Sequence, residues 1–252
     1  MKSKKSYKDI TLEDIKKIKL IVFDVDGILC PRGTKIKQKG DDLTIKIKRI
    51  PKEEIDLIKE LNSKGFKIGI NSGRGLYLLE KMFFEILPYI SITYENGSAT
   101  WYSGKIYQHF NSFSKLREVE DNLRKIKSKS IKAFEPKELI VTVHAKRKVK
   151  SIERMVKNYN ELYCLWSGEA YDIGLKNKQT KANGIRNLIK IHKLKRENVL
   201  VIGDNYNDKE MFKVAGLSIS ADKKRVKGDF FIPLSRKRLP GERIIEKILK
   251  LV

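Results

Sequence analysis

The chain has 252 residues, 40% of them hydrophobic, enough to build a core in one large or two moderate domains, and no apolar run is long enough to span a bilayer. Its 55 Lys and Arg against 31 Asp and Glu give a net charge of +24 that attracts anions, phosphorylated metabolites and nucleic acids alike, although the even scatter of lysines reads as a solvated surface. Two distant cysteines, Cys30 and Cys164, suggest neither a disulfide framework nor a zinc site, and an N-terminus without a signal peptide's apolar segment predicts a cytoplasmic protein.

In chain order, the first informative stretch is KLIVFDVDGILC, from Lys19 to Cys30. Leu20 to Phe23 read as a buried strand that runs into a tight turn at Asp24, Val25, Asp26 and Gly27. Side chains alternate along an extended chain, so Asp24 and Asp26 are expected on the same side at the strand's end. A buried strand does not tolerate two such carboxylates without a cationic partner, whether a metal, a lysine or a charged substrate complex. The polar, basic stretch from Pro31 to Ile50 contains LTIKIKRI, one arm of a β-hairpin expected to sit as a flap beside the two aspartates.

Pro51 starts a helix with an apolar stripe of Ile55, Ile58 and Leu61, and Gly65 ends it. The strand Phe66 to Ile70 then runs into Asn71, Ser72, Gly73 and Arg74, which repeats the opening pattern of an apolar strand with polar residues at its carboxyl end. In a strand-helix-strand unit those ends share one sheet edge, so Ser72 is expected beside Asp24 and Asp26. A second helix carries Leu76, Leu79, Phe83 and Ile86 and stops at Pro88. It precedes a strand from Ile90 to Tyr94, a turn at Asn96 and Gly97, and further β structure to His109.

From residue 110 the order changes to two helices and four strands with hairpin joins, a small antiparallel α+β unit inserted into the first domain. The expected division is 1–109 core, 110–178 insert and 179–252 core. The βα alternation then resumes with a helix around Ile185 to Ile191 and a strand from Val199 to Ile202 that ends in Gly203, Asp204, Asn205, Tyr206, Asn207 and Asp208.

Four segments therefore fall on one edge of one sheet: FDVDG, NSGR, QTKANG and GDNYND. Together, and in this order, they resemble the four motifs of the haloacid dehalogenase superfamily over nearly the whole chain, and the long insert is similar to the cap of its Cof-like phosphatases, including phosphoglycolate and sugar phosphate phosphatases. The resemblance implies an α/β fold with a Rossmann-like parallel core and an inserted α+β cap. It implies a Mg²⁺-dependent phosphatase for a small phosphorylated metabolite, in which Asp24 attacks phosphorus to form an aspartyl phosphate and Asp26 serves as acid and then base. Superfamily members that must preserve their aspartyl phosphate carry threonine at the second position, so Asp26 implies turnover. The ion's ligands would be the Asp24 carboxylate, the Asp26 main-chain carbonyl and Asp204, with Asp208 a ligand or a support behind them. Ser72, the Gly73 amide, Lys181 and Asn207 would hold phosphoryl oxygens, with Lys181 also pairing with Asp24. Lys176 and Lys178 lie close by, and ANGIRNLI after Lys181 favours that residue. Ile28 departs from the family's usual threonine.

Arg74, Thr142 and His144 are candidate substrate contacts. Along 138 to 144, Leu139, Val141 and Val143 form an apolar face that should bury against the cap helices, while the face with Thr142 and His144 could look toward the active site. The plainer reading leaves His144 exposed at a strand end. Two other functions share these features. A phosphomannomutase-like phosphotransferase would pass the phosphoryl group to a sugar, and a nucleic-acid-binding or nucleotide-directed protein would use the +24 charge. The intact aspartate pairs argue against a purely binding role.

Overall fold

The computed structural model describes residues 5–235 and 237–252; the first four residues of the N-terminal stretch lie outside the described residues. β1 (Lys5–Ser6) and the single-turn α1 (Leu12–Ile15) lead to β2 (Leu20–Phe23), after which β3 (Lys35–Lys39) and β4 (Asp42–Lys46) form a hairpin. Next come α2 (Lys52–Ser63), β5 (Lys67–Asn71), α3 (Leu76–Phe83), β6 (Ile90–Tyr94), β7 (Ala99–Tyr102) and β8 (Lys105–Gln108). The middle of the chain supplies α4 (Phe113–Arg124), β9 (Ile131–Glu135), β10 (Val141–Ala145), α5 (Lys150–Lys157), β11 (Leu162–Trp166) and β12 (Ala170–Leu175). The last third supplies α6 (Lys181–Ile191), β13 (Val199–Gly203), α7 (Lys209–Val214), β14 (Leu217–Ser220), β15 (Phe230–Phe231) and α8 (Pro240–Leu249).

One nine-stranded sheet has the order β1-β15-β14-β13-β2-β5-β6-β7-β8. Pairing is parallel from β1 through β6, and the β7–β8 hairpin adds an antiparallel edge. Both faces of the centre are covered, which is why β2 and β13 read as unbroken apolar runs. Ile21, Phe23, Leu200 and Ile202 point into the cluster shared with Ile55 and Ile58 of α2 and Ile244 and Ile245 of α8. Leu20, Val22, Val199 and Val201 point into the opposite cluster with Ile185 and Leu188 of α6 and Met211 of α7.

The second sheet is the antiparallel set β11-β12-β10-β9, with α4 and α5 packed on one face. Leu116, Val119, Leu123, Ile152 and Val156 from those helices meet Val141, Val143, Tyr171 and Ile173 from the strands. The period-2 pattern of β10 sends Val141 and Val143 into this core and leaves Thr142 and His144 on the other face. The insert is thus an α+β cap with its own core on an α/β parent.

Three local features differ from the sequence reading. β1 pairs parallel with β15, and α1 forms because Thr11 caps it, its hydroxyl accepting from the Asp14 amide while Asp14 accepts from the Thr11 amide in return. α3 ends at Phe83, and a tighter 3₁₀ turn over Phe84–Tyr89 carries the chain through Pro88. The β3–β4 hairpin leans on the cap, where Gln38 Oε1 accepts from the Phe134 amide at 3.1 Å. Arg32, Gly33 and Thr34, just before the hairpin, are the residues that face the aspartates.

Candidate active site

The carboxyl ends of β2, β5 and β13 and the amino end of α6 converge beneath the cap. Past β2 the chain makes one more ladder contact, the Asp24 amide donating to the Ile202 carbonyl at 2.9 Å, and then turns sharply. The amides of Leu29 and Cys30 donate to the Val25 carbonyl, and Gly27 takes φ +84°. A Cβ at Gly27 would lie 2.1 Å from Asp204 Oδ2, so both the backbone angle and the approach of the β13 loop demand glycine. Asp24 is 5% exposed, and Asp26 is partly exposed.

The cationic partner required by the opening strand is Lys181. Thr180 caps α6, so Lys181 is the helix's first residue and points back across the sheet edge. Its ammonium lies 2.7 Å from Asp24 Oδ1 and 2.6 Å from Asp208 Oδ1, at 2% exposure. Lys176 and Lys178 are exposed, with Lys176 donating to the Asn160 carbonyl. Burial works against the Lys181 ammonium, but Asp208 and Asp24 raise its pKa above the ordinary lysine value.

Carboxylate oxygens of Asp24, Asp204 and Asp208 all lie within 4.8 Å of one another. Burial raises the Asp24 pKa well above the carboxylate range, and Asp208 and Asp204 add to this while Lys181 opposes it. Asp204 is pushed up to about 6, first by burial and then by Asp208, with Arg32 opposing. Asp208 is already committed: Oδ2 accepts from the amides of Asp204 and Asn205, both at 2.8 Å, and Oδ1 from Lys181. Asp204 differs, because Arg32 holds Oδ2 from Nε at 2.8 Å while Oδ1 is buried without a hydrogen-bond partner. A hard divalent cation with oxygen ligands fits that free oxygen beside Asp24.

Ser72 is buried at the end of β5, its amide on the Thr93 carbonyl and its hydroxyl accepting from the Arg74 amide at 3.2 Å. Arg74 grips Asp26 with both ends of its fork, Nε to Oδ2 at 2.8 Å and Nη2 to Oδ1 at 2.7 Å, and also donates to Thr34 Oγ1. Asn207 and Gly73 line the same cavity, of about 350 Å³, and Asn207 Oδ1 is buried without a partner.

His144 corrects the exposed-end reading, since it is 5% exposed, faces the cavity, and pairs with Glu135 Oε2 at 2.7 Å. Thr142 shares that sheet face but does not line the cavity. Its hydroxyl donates to Asp172 Oδ1 at 2.6 Å and accepts from Lys137 Nζ at 2.7 Å. Sequence reasoning missed Arg32, Glu135, Lys137 and Asp172, all of which line the cavity.

A family model described as haloacid dehalogenase-like hydrolase matches residues 21–129 and 109–225. The phosphoglycolate phosphatase of Sulfolobus acidocaldarius is 27% identical over 244 residues, covering 93% of this chain and 97% of the relative. Phosphoglycolate phosphatase 1 of Saccharolobus solfataricus is 26% identical over 81% of this chain and 82% of its own. Among solved structures, a Thermoplasma acidophilum protein superposes with a TM-score of 0.70 at 21% identity, over 93% of this chain and 99% of that one. The C-terminal domain of a C. albicans trehalose-6-phosphate phosphatase gives 0.70 at 16% identity, over 99% and 97%. At these identities the structural likeness is one of fold.

Proposed function

The chain belongs to the haloacid dehalogenase-like hydrolases, and from that membership we propose that it is a Mg²⁺-dependent phosphatase of small phosphate monoesters, of the phosphoglycolate or sugar phosphate class. The observation that carries the reading is the buried convergence of Asp24 with Lys181 at 2.7 Å and with carboxylate oxygens of Asp204 and Asp208 within 4.8 Å. The names of the relatives support the substrate class.

In the proposed cycle an Asp24 oxygen bonds to phosphorus while the ester P–O bond breaks, and Asp26 delivers a proton to the departing alkoxide. A water then attacks the phosphorus of the aspartyl phosphate, gives its proton to Asp26, and releases inorganic phosphate with Asp24 restored. Ser72, the Gly73 amide, Lys181 and Asn207 hold phosphoryl oxygens, and Lys181 offsets charge beside Asp24. Arg74 fixes the orientation of Asp26, and one of its two bonds to that carboxylate must give way for Asp26 to carry the proton. The carboxylates of Asp24 and Asp204 and the Asp26 carbonyl, with Asp208 a ligand or a support behind them, would hold Mg²⁺, which would supply the positive charge that lets a phosphate dianion approach two carboxylates. We place the cap at 110–178, between core segments 1–109 and 179–252.

The test is phosphate release from a panel of phosphorylated metabolites, with Mg²⁺ and with the metal chelated. The expected result is turnover of monoesters only when Mg²⁺ is present. Metal-independent turnover, transfer to a sugar acceptor without free phosphate, or no turnover of any monoester would contradict the reading.

A further inference from the structure

The cap wall of the cavity has a definite chemical character, set by Glu135, Lys137, His144 and Asp172. Lys137 is 8% exposed, and its ammonium has three protons to give. Two go to the Gly73 carbonyl at 2.9 Å and the Thr142 hydroxyl at 2.7 Å. The remaining one faces two carboxylates, Glu135 Oε1 at 3.5 Å and Asp172 Oδ1 at 3.7 Å. His144 Nε2 is taken by Glu135, and the Arg74 fork by Asp26. Lys137 and Arg74 are therefore already engaged by protein oxygen, while His144 keeps Nδ1 buried without a partner.

Of the two carboxylates, Asp172 keeps the freer oxygen. Asp172 Oδ2 has one long contact, from Asn96 Nδ2 at 3.4 Å, and lies 3.4 Å from where a Cβ on Gly73 would sit, directly over the loop that carries Ser72. Glu135 remains a carboxylate. Burial alone would raise it, but Lys137 and His144 together hold it down at about 2.

We infer that this wall selects a neutral, hydroxyl-rich leaving group of the sugar or polyol class over a carboxylate-bearing one such as glycolate, with Asp172 as the residue that discriminates. A hydroxyl can donate to Asp172 Oδ2 and pair with the free His144 Nδ1 in either direction, whereas a carboxylate entering the same space meets the negative charges of Asp172 and Glu135 while Lys137 and the Arg74 fork are already taken. Failure to pair a buried charge is costly, so the discrimination is large. The inference rests on the phosphatase reading and divides the substrate class that reading leaves whole.

The experiment compares kcat/KM for glucose 6-phosphate, glycerol 3-phosphate and phosphoglycolate, in the wild type and in Asp172→Asn. The control is p-nitrophenyl phosphate, which carries neither a carboxylate nor aliphatic hydroxyls. The wild type is expected to favour at least one hydroxylated substrate over phosphoglycolate by at least about tenfold. Asp172→Asn is expected to shift that ratio toward phosphoglycolate by about tenfold or more, relative to the control substrate. A wild type that prefers phosphoglycolate overturns the inference while leaving the phosphatase intact, and so does a variant that slows all four substrates equally, as a purely structural role would. Should Asp172→Asn fail to fold, the wild-type ratio alone decides. No turnover of any substrate, the control included, overturns the phosphatase reading and this inference together.

Discussion

At the scale of single residues, burial acts on carboxyls with opposite outcomes, set by the charges beside them. Glu135 is held ionised by Lys137 and His144 in spite of its burial. Glu54 lies at the opposite extreme, under the amino end of α8, where Gly241 leaves room only for a hydrogen: a Cβ there would come within 2.2 Å of Glu54 Oε1. Burial, and then the Glu242 carboxylate, push the Glu54 pKa up to about 9. A carboxyl whose folded pKa is raised binds its proton more tightly folded than unfolded. Its contribution to stability is therefore fully present below the ordinary glutamate range and is lost as pH rises toward 9. Glu54→Gln, uncharged throughout, should flatten the fall in unfolding free energy between about pH 5 and pH 9 and be the more stable protein at the alkaline end. Urea titrations at several pH values check this; parallel curves for the two proteins would refute it.

At the scale of elements, the cap is clasped to the core by its own polypeptide between β9 and β10. Glu95, in the left-handed region at φ 47°, accepts the amides of Glu138 at 3.1 Å, Leu139 at 2.6 Å and Ile140 at 3.0 Å. Gln179, between β12 and α6, donates to Ser98 at 2.9 Å, to Ser112 at 3.0 Å and to the Leu139 carbonyl. Glu95→Ala leaves three amides without their acceptor, the two of Leu139 and Ile140 buried, so it should cost on the order of 3 kcal/mol and accelerate hydrogen exchange at residues 138–140. Unchanged exchange there would show that the clasp does not hold. This contact also marks the limit of what the sequence disclosed. Asp24, Ser72, Lys181 and Asp204 were legible because each follows an apolar strand or opens a helix, and parallel topology sends those ends to one edge. Arg32 lies in a basic stretch where one cation looks like another, and Glu95 follows a strand as any turn residue might. Asp172 did leave a signal, a lone aspartate in the otherwise uncharged strand AYDIGL, open to the same reasoning that singled out Asp24.

At the scale of the whole molecule, the parallel sheet brings Asp24, Ser72 and Asp204 to one edge, α6 adds Lys181, and the cap closes the space above them with its own charged wall. The net charge of +24 gives the molecule a field that attracts anions. Among the described residues no helix is long and apolar enough to cross a membrane. The proposed reaction depends on one atom pair, an Asp24 oxygen and the substrate phosphorus. The most direct measurement is phosphate release by Asp24→Asn, a change that keeps the side chain's size while removing the proposed nucleophile, made on protein shown to be folded by its thermal transition. The account predicts that kcat/KM falls by more than about a thousandfold with Mg²⁺ present. A folded Asp24→Asn protein that retains wild-type turnover would contradict it.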